Sequence, residues 1–556
     1  VETTGPFFLS IDGMSYEVDG LAGQMFSFQR SPGVVMDMTR RWLVAVLFLV
    51  SMIANSSAAE ECFRVFPYLQ NPTPESISIL WISPQEKPGS VKVSIEGAEK
   101  RLESEVNSAE ALRPNPFAPE PGVGENPVKL FKHRVHVEGL KPRTEYSYIV
   151  EQGTARFEDT FTTAPGAETP IRFIVYSDSE TEPESSTSPP VDWPVGPGSN
   201  RPEGLTRYVV DQTTGYRENL KVIDQRQPNF ICIVGDLVES GGEQRDWDEF
   251  WKHNAGEFNT LAGHIPIFAA PGNHENYGGP GGFGGYSAEA ANFGVAKFLT
   301  YFEVPSNDAE NSVHRGRYYR INYGPIALIS VDSSDGLPHG TASDTNHNLS
   351  GSNAPDFNPG SPQSRWLEQQ LADAQKTAKF TFVQFHHTMY GSGPHSVPFG
   401  QKNFSGQSGI AMRVLEPLFH RYGVDAVLSG HDEMLERSKT VGVELLPDGT
   451  TRPHAIHFYD VGLAGDGLRG SSAGFDNPAG QFLAHDNSAE VWDGRRLVSG
   501  GKHYGHLEIN VAPNGEGIWQ VIIAPVQNFP LMNDEGEIIG WERRQYDDVV
   551  TIRADQ

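Results

Sequence analysis

Two domains of different class are predicted, an all-β sandwich over residues 60–166 followed by an α/β domain over residues 167–556. Three observations predict them. From Phe63 to about Pro165, runs such as Ser76-Ile77-Ser78-Ile79-Leu80-Trp81-Ile82 and Val91-Lys92-Val93-Ser94-Ile95 alternate at period two, separated by turns rich in Pro, Gly and Glu, as half-buried strands do. Beyond residue 167, short continuous apolar runs alternate with helical stripes, the pattern of a sheet covered on both faces. Several of those runs deliver a polar residue at their C-terminal end, where α/β sheets build ligand sites.

At the front, residues 1–35 show no clear period and contain no lysine. The stretch Met36-Asp37-Met38-Thr39-Arg40-Arg41, the apolar run Trp42 to Ala54 and the small residues 55–59 read together as a signal peptide over 36–59. The apolar run falls short of the roughly 20 residues that a membrane-spanning helix needs. We therefore expect translation to begin at Met36 or Met38, residues 1–35 to be a non-native upstream extension, and the product to be secreted or periplasmic with no membrane attachment after cleavage. The Arg40-Arg41 pair faintly resembles a twin-arginine signal, but the strongly apolar core favours the general secretory route. The two cysteines are Cys62, without a lipoprotein context, and Cys232, inside a predicted strand; Cys232 reads as a buried small hydrophobe and no disulfide is expected. With 43 basic and 71 acidic residues the net charge is −28, a surface that repels nucleic acid and anionic membranes.

In the α/β region the strand Arg172 to Tyr176 runs into Asp178. Val234-Gly235-Asp236 and Pro271-Gly272-Asn273-His274-Glu275 end the next two. Phe380 to Phe385 ends in His386-His387, and Val424 to Ser429 ends in Gly430-His431. An aspartate can bridge two cations about 3.5–4 Å apart, an asparagine carbonyl is a neutral oxygen ligand, and a histidine beside it can meet a phosphoryl group or leaving oxygen. Helices are expected over Arg245 to Leu261, with Trp247, Phe250, Trp251 and Phe258 facing the core, and over Ser364 to Ala374, with Trp366, Leu367 and Leu371 doing so. Asp332 ends the strand Ile326 to Val331 and reads as structural. Three insertions, Thr181 to Glu203, Asn276 to Tyr286 and Leu337 to Pro362, follow strand ends and form either a lid or collar, or plain surface loops. No internal repeat, P-loop or dinucleotide fingerprint is present.

The order and spacing of these strand ends resemble the calcineurin-like metallophosphoesterase superfamily, in its purple acid phosphatase-like branch. The resemblance implies a four-layer α/β/β/α sandwich for the second domain. It also implies two divalent or mixed-valence metal ions and hydrolysis of a small phosphomonoester or phosphodiester by a metal-held hydroxide. Asp236 would bridge both metals. Asn273, His386 and His431 would complete one site, Asp178 would belong to the other, and His274 would act as transition-state stabiliser or general acid. The loop Met389 to His395 would either face substrate through Tyr390 and His395 or be a plain surface loop, while His387 either reaches substrate or packs behind His386. Gly139-Leu140-Lys141-Pro142-Arg143-Thr144-Glu145-Tyr146 resembles the tyrosine corner of fibronectin type III domains, with Tyr146 bonding back to the backbone and Trp81 as core tryptophan.

Three positions depart from the family pattern. Glu433 stands where the last histidine is expected, Glu239 where purple phosphatases have tyrosine, and Asp178-Ser179-Glu180 lacks the usual glycine or histidine in third place. All three surround the metal held by Asp178. Either Glu433, with Glu180 or Glu239, supplies an oxygen-rich site suited to Mg²⁺, Mn²⁺, Ca²⁺ or iron rather than zinc, or the chain is a non-hydrolytic metal- or ligand-binding relative with one intact site. Packed carboxylates repel one another without a cation, which favours the first. A tyrosinate colour is excluded in both.

Overall fold

The computed structural model describes residues 7–11, 14–18 and 62–554, apart from 122–126, 186–191, 350, 352 and 472–476. The signal pattern of 36–59 lies outside the described residues. Phe7–Ile11 and Met14–Val18 pair as an antiparallel hairpin, a unit of its own, where the sequence showed no period. No helix among the described residues is long and apolar enough to cross a membrane.

The first domain is two four-stranded antiparallel sheets. One has the order Ala155–Thr162, Glu145–Gln152, Ser90–Ile95, Ala98–Glu103; the other Val65–Gln70, Ser76–Ser83, Phe131–Glu138, Glu105–Ser108. Trp81 is buried between them, its ring stacked on His133 at 5.1 Å and its indole N–H donated to Gln152. The Tyr146 hydroxyl accepts the Lys141 backbone N–H at 2.9 Å.

The second domain sets two seven-stranded sheets face to face. The first runs Ile267–Ala269, Phe230–Ile233, Ile171–Tyr176, Gly505–Pro513, Trp519–Met532, Ile538–Gln545, with Val550–Arg553 also on Trp519–Met532. The second runs Tyr319–Tyr323, Ile326–Ser330, Phe380–His387, Ala426–Gly430, Thr451–Val461, Leu435–Leu445, Gly480–Leu483. Successive side chains point to opposite faces of a strand, and the cores follow from that. Phe173, Val175, Phe230 and Cys232 meet Phe382 and Leu428 between the sheets. Ile174, Tyr176, Ile231 and Ile233 face outward onto the helices Gln212–Arg226 and Gln244–Ala255. Val383, Phe385 and Val427 face the helices Pro362–Thr377 and Glu416–Arg421. The four-layer expectation holds. Both cysteines are buried and unpaired, and Asp332 is structural, in a buried ion pair with Arg317.

One helix differs from its pattern. It stops at Ala255, and the chain folds back beyond Gly256, with Phe258 N–H donated to the Lys252 carbonyl. Phe258 is therefore not in the core stripe; it is 38% exposed and lies under the Arg217 guanidinium.

The sandwich packs on the outer helical layer, where Val65, Tyr68 and Leu80 join Trp247 and Trp251. His264 pins the contact between a sandwich carboxylate, Asp159 (3.2 Å from Nδ1), and Asp224 of the second domain (2.9 Å from Nε2). Burial opposes charge on this imidazole, but the two carboxylates outweigh it and raise its pKa. A group raised in this way stabilises fully below its unfolded value, near 6.5, and the contribution fades as pH climbs through the folded value. His264→Gln should thus lower the thermal midpoint more at about pH 6 than at about pH 8.5; equal losses at both would contradict the pairing.

Candidate metal centre

The ligand-type residues lie where strands of both sheets end. Asp178 follows Ile171–Tyr176, Asp236 follows Phe230–Ile233 and Asn273 follows Ile267–Ala269; His386 and His387 close Phe380–His387, and His431 follows Ala426–Gly430. Five residues here take left-handed backbone angles without being glycine: Asp178 (φ 58°), Glu180 (36°), Asp236 (50°), His431 (81°) and Glu433 (46°). Each such conformation costs of order 1–3 kcal/mol and concentrates at functional sites.

The motif glycines are there because ligand atoms fill the space a side chain would need. A Cβ on Gly272 would lie 2.1 Å from Asp236 Oδ1, and one on Gly430 would lie 2.3 Å from Asp178 Oδ2.

Tautomers at the centre are fixed by backbone carbonyls. His386 Nδ1 donates to the Val234 carbonyl at 3.0 Å, and His431 Nε2 to the Gln407 carbonyl at 3.1 Å. Asn273 donates its amide N–H to the Tyr286 hydroxyl at 3.0 Å, which turns Oδ1 inward. As a result His386 Nε2 stands 2.9 Å from Asn273 Oδ1, 3.1 Å from His431 Nδ1 and 2.9 Å from Asp236 Oδ2. Four buried acceptors in neutral-imidazole form repel one another; together they are the nitrogen and oxygen donor set of a transition-metal cation. The residues fit the group.

The carboxylates on the other side form a second cluster. Glu180, Glu433 and Asp466 place one oxygen each within 4.8 Å of one another, and Glu180, Asp236 and His274 bring two oxygens and a ring nitrogen equally close. Glu239 joins through a hydrogen bond to Glu180. Asp178 accepts the His431 backbone N–H on both oxygens. The backbone carbonyl of Asp178 receives the N–H groups of Gly465 and Asp466. Arg469 forms an ion pair with Glu433. Burial lifts Asp178 to about 6 and raises Glu180 and Glu433 well above the carboxylate range, with Asp466 adding to both glutamates. Burial opposes charge on His386, yet Asp236, Asp178 and Glu275 lift it to about 9, so without a cation Nε2 keeps a proton among these acceptors, and a bound cation would take that proton's place. So many acids share one site as anions only beside a cation.

His274 donates from Nδ1 to the Glu239 carbonyl, while its Nε2 lies 3.8 Å from Glu180 and 4.0 Å from Asp236. His387 is fully buried behind His386, with Nδ1 on Ser333, and does not line an open face. Of the two loop candidates, His395 is brought in, its ring 3.9 Å from that of His431 and Nε2 3.3 Å from Arg469. Tyr390 is not: its hydroxyl bonds to Glu416 and its ring packs on Phe458 and Arg413. The expected substrate-facing tyrosine is corrected to a wall of the outer core.

Sequence reading gave no role to Glu275, Asp466 or Arg469. Glu275 is buried and receives the backbone N–H groups of Gly272, Asp236 and Leu237 at 2.6, 3.0 and 2.9 Å. The Gly-Asn-His-Glu motif was the available signal for it. Asp466 and Arg469 follow the strand Thr451–Val461 in a Gly-rich loop, and the strand-end rule could have flagged them.

Residues 172–432 match the calcineurin-like phosphoesterase family model and residues 63–164 that of the purple acid phosphatase N-terminal domain. The chain thus joins a purple acid phosphatase N-terminal domain to a calcineurin-like phosphoesterase domain. An uncharacterised protein of Mycobacterium tuberculosis is 28% identical over 314 residues, 55% of this chain and 50% of its own. Purple acid phosphatase 18 of Arabidopsis thaliana is 23% identical over 316 residues, 56% of this chain and 57% of its own. The chain spans about half the length of the curated relatives it matches. Among solved structures, a purple acid phosphatase from yellow lupin seeds gives a TM-score of 0.55 at 18% identity over 88% of this chain and 74% of that one. PhoD gives 0.52 at 13% identity over 89% and 91%. These two share the fold.

Replacing Glu275 with alanine leaves three buried N–H groups without an acceptor, at about 1–3 kcal/mol each. Glu275→Ala should therefore lose at least about 3 kcal/mol in urea unfolding with chelator present, and Glu275→Gln less; a loss below 1 kcal/mol for the alanine variant would contradict this clasp.

Proposed function

We propose that this chain is a metal-dependent phosphoesterase acting on a small phosphomonoester or phosphodiester, exported by way of the 36–59 leader pattern. One observation carries the reading: three acceptors converge within 3.1 Å of His386 Nε2, a nitrogen whose proton a cation can replace. Asp236, Asn273, His386 and His431 hold the first cation. Asp178 and Asp236, with Glu180, Glu433 and Asp466, hold the second in an oxygen-rich set that favours Mn²⁺, Mg²⁺, Ca²⁺ or iron. Bound cations supply Lewis acidity and a nucleophile at neutral pH.

The chain's own residues do the rest. The Nδ1 bond of His274 to the Glu239 carbonyl fixes its ring, so Nε2 carries the transferable proton. From there it is positioned to protonate the departing alkoxide oxygen. Burial opposes charge on His274, but Asp236, at 4.0 Å, and Glu239 favour the protonated ring. Arg469, part-exposed and paired with Glu433 beside His395, stands at the rim and is placed to meet a phosphoryl oxygen.

The same arginine favours a second reading. Its guanidinium engages Glu433, an internal cation competing for a carboxylate of the second set; the chain would then hold one metal and bind without hydrolysing. Metal content per chain after exposure to each of Mn²⁺, Fe²⁺, Zn²⁺, Mg²⁺ and Ca²⁺, with aryl phosphate turnover, separates the two. The expected result is two cations with turnover; one or none without turnover selects the binding protein. In the active form His274→Ala should lower kcat by roughly 100- to 10,000-fold with both cations retained. Glu433→His should shift metal preference toward zinc; unchanged preference would exclude Glu433 as a ligand.

A further inference from the structure

The sandwich sends one segment away from its own core. Beyond Glu105–Ser108, Ala109 and Leu112 are buried among the helices of the second domain, with Trp247 and Tyr301. Further along, Asn115 and Glu120 are 5% and 4% exposed. The Glu120 carboxylate accepts the N–H groups of Gln244 and Arg245, the first of the helix Gln244–Ala255, at 2.9 and 3.2 Å. It also accepts the Asn115 N–H. This is an acceptor at the positive end of a helix, and it fixes the segment in place.

Asn115 then turns its amide the other way. Its Nδ2 donates to the carbonyls of Gly278 at 2.6 Å and Phe283 at 3.2 Å. Those two residues belong to the glycine-rich insertion, which closes on itself through Gly278 N–H to the Gly285 carbonyl at 2.8 Å. The next residue is Tyr286, whose hydroxyl receives the Asn273 side-chain N–H and whose ring packs 4.8 Å from Tyr277. An asparagine amide presents either its oxygen or its nitrogen to a site; only the acceptor at Nδ2 decides which.

We propose that the N-terminal sandwich is a positioning element of the metal centre, with Asn115 acting through the Gly278–Gly285 loop and Tyr286 to fix the ligand amide of Asn273. The inference rests on the reading of that centre as a cation site. It gives the first domain and the glycine-rich insertion one shared task, in place of a lid over substrate.

The test is calorimetric titration of the full purified chain with Mn²⁺ alone, on wild type, Tyr286→Phe, Asn115→Ala and their double variant. Asn115→Asp is included because it keeps the side-chain shape and puts an acceptor where the Gly278 and Phe283 carbonyls need a donor. Each single variant should weaken the tighter site about 10-fold, and the double variant should be no weaker than the worse single one, because both lie on one chain of contacts. The thermal midpoint in chelator should stay within a few degrees of wild type for Tyr286→Phe, which a purely structural role would not give. Wild-type affinity in both Asn115 variants, or losses that multiply in the double variant, would overturn the proposal. Failure of wild type itself to bind Mn²⁺ would instead overturn the metal reading beneath it.

Discussion

The carboxylate of Glu275 is the tie on which the metal face depends. It takes three backbone N–H groups from two neighbouring strand ends, those of Gly272, Asp236 and Leu237. That clasp holds Asp236 in a left-handed conformation it would otherwise leave. From there Asp236 accepts the His274 N–H at 2.8 Å with one oxygen and faces His386 with the other. The loops that carry Glu239 and His274 are stitched in turn by Gly241 N–H to the His274 carbonyl and Gly242 N–H to the Tyr277 carbonyl. Ligand geometry is thus set by main-chain bonds before any cation enters.

What the sequence disclosed, and what it hid, divides along a physical line. Strands buried on both faces read as apolar runs, so their ends, and with them Asp178, Asp236, Asn273, His386 and His431, stood out. Loops carry no period. Asp466 reaches Glu180 and Glu433 only because its loop hangs from the Asp178 carbonyl, a contact between distant segments that no local pattern records. Tyr390 and His395 sit on one loop and look alike in sequence; Arg413, in the 3-10 turn Gly409–Leu415, and Glu416, which opens the helix Glu416–Arg421, draw the tyrosine away. The helix ending at Ala255 rather than Leu261 was a matter of Gly256, a weak signal against four aromatic residues at helical spacing.

The acidic balance of the chain takes on a local meaning. Its overall field offers nothing to a phosphate, and the carboxylates crowded at the second cluster would repel one further. Attraction of an anion must come from inside the site, from bound cations and from Arg469. The same crowding explains why Glu239 and Glu180 share a hydrogen bond instead of both standing ionised.

The four donors around His386 Nε2 come equally from the two sheets: Asp236 and Asn273 from one, His386 and His431 from the other. A cation held there adds a cross-link between two layers joined by apolar packing and a few bonds such as His386 Nδ1 to the Val234 carbonyl. Binding to the folded form alone adds about 2.7 kcal/mol at a free concentration one hundred times Kd. A cation that binds only the folded form thus acts on how readily the chain opens to proteolysis, and not on chemistry alone.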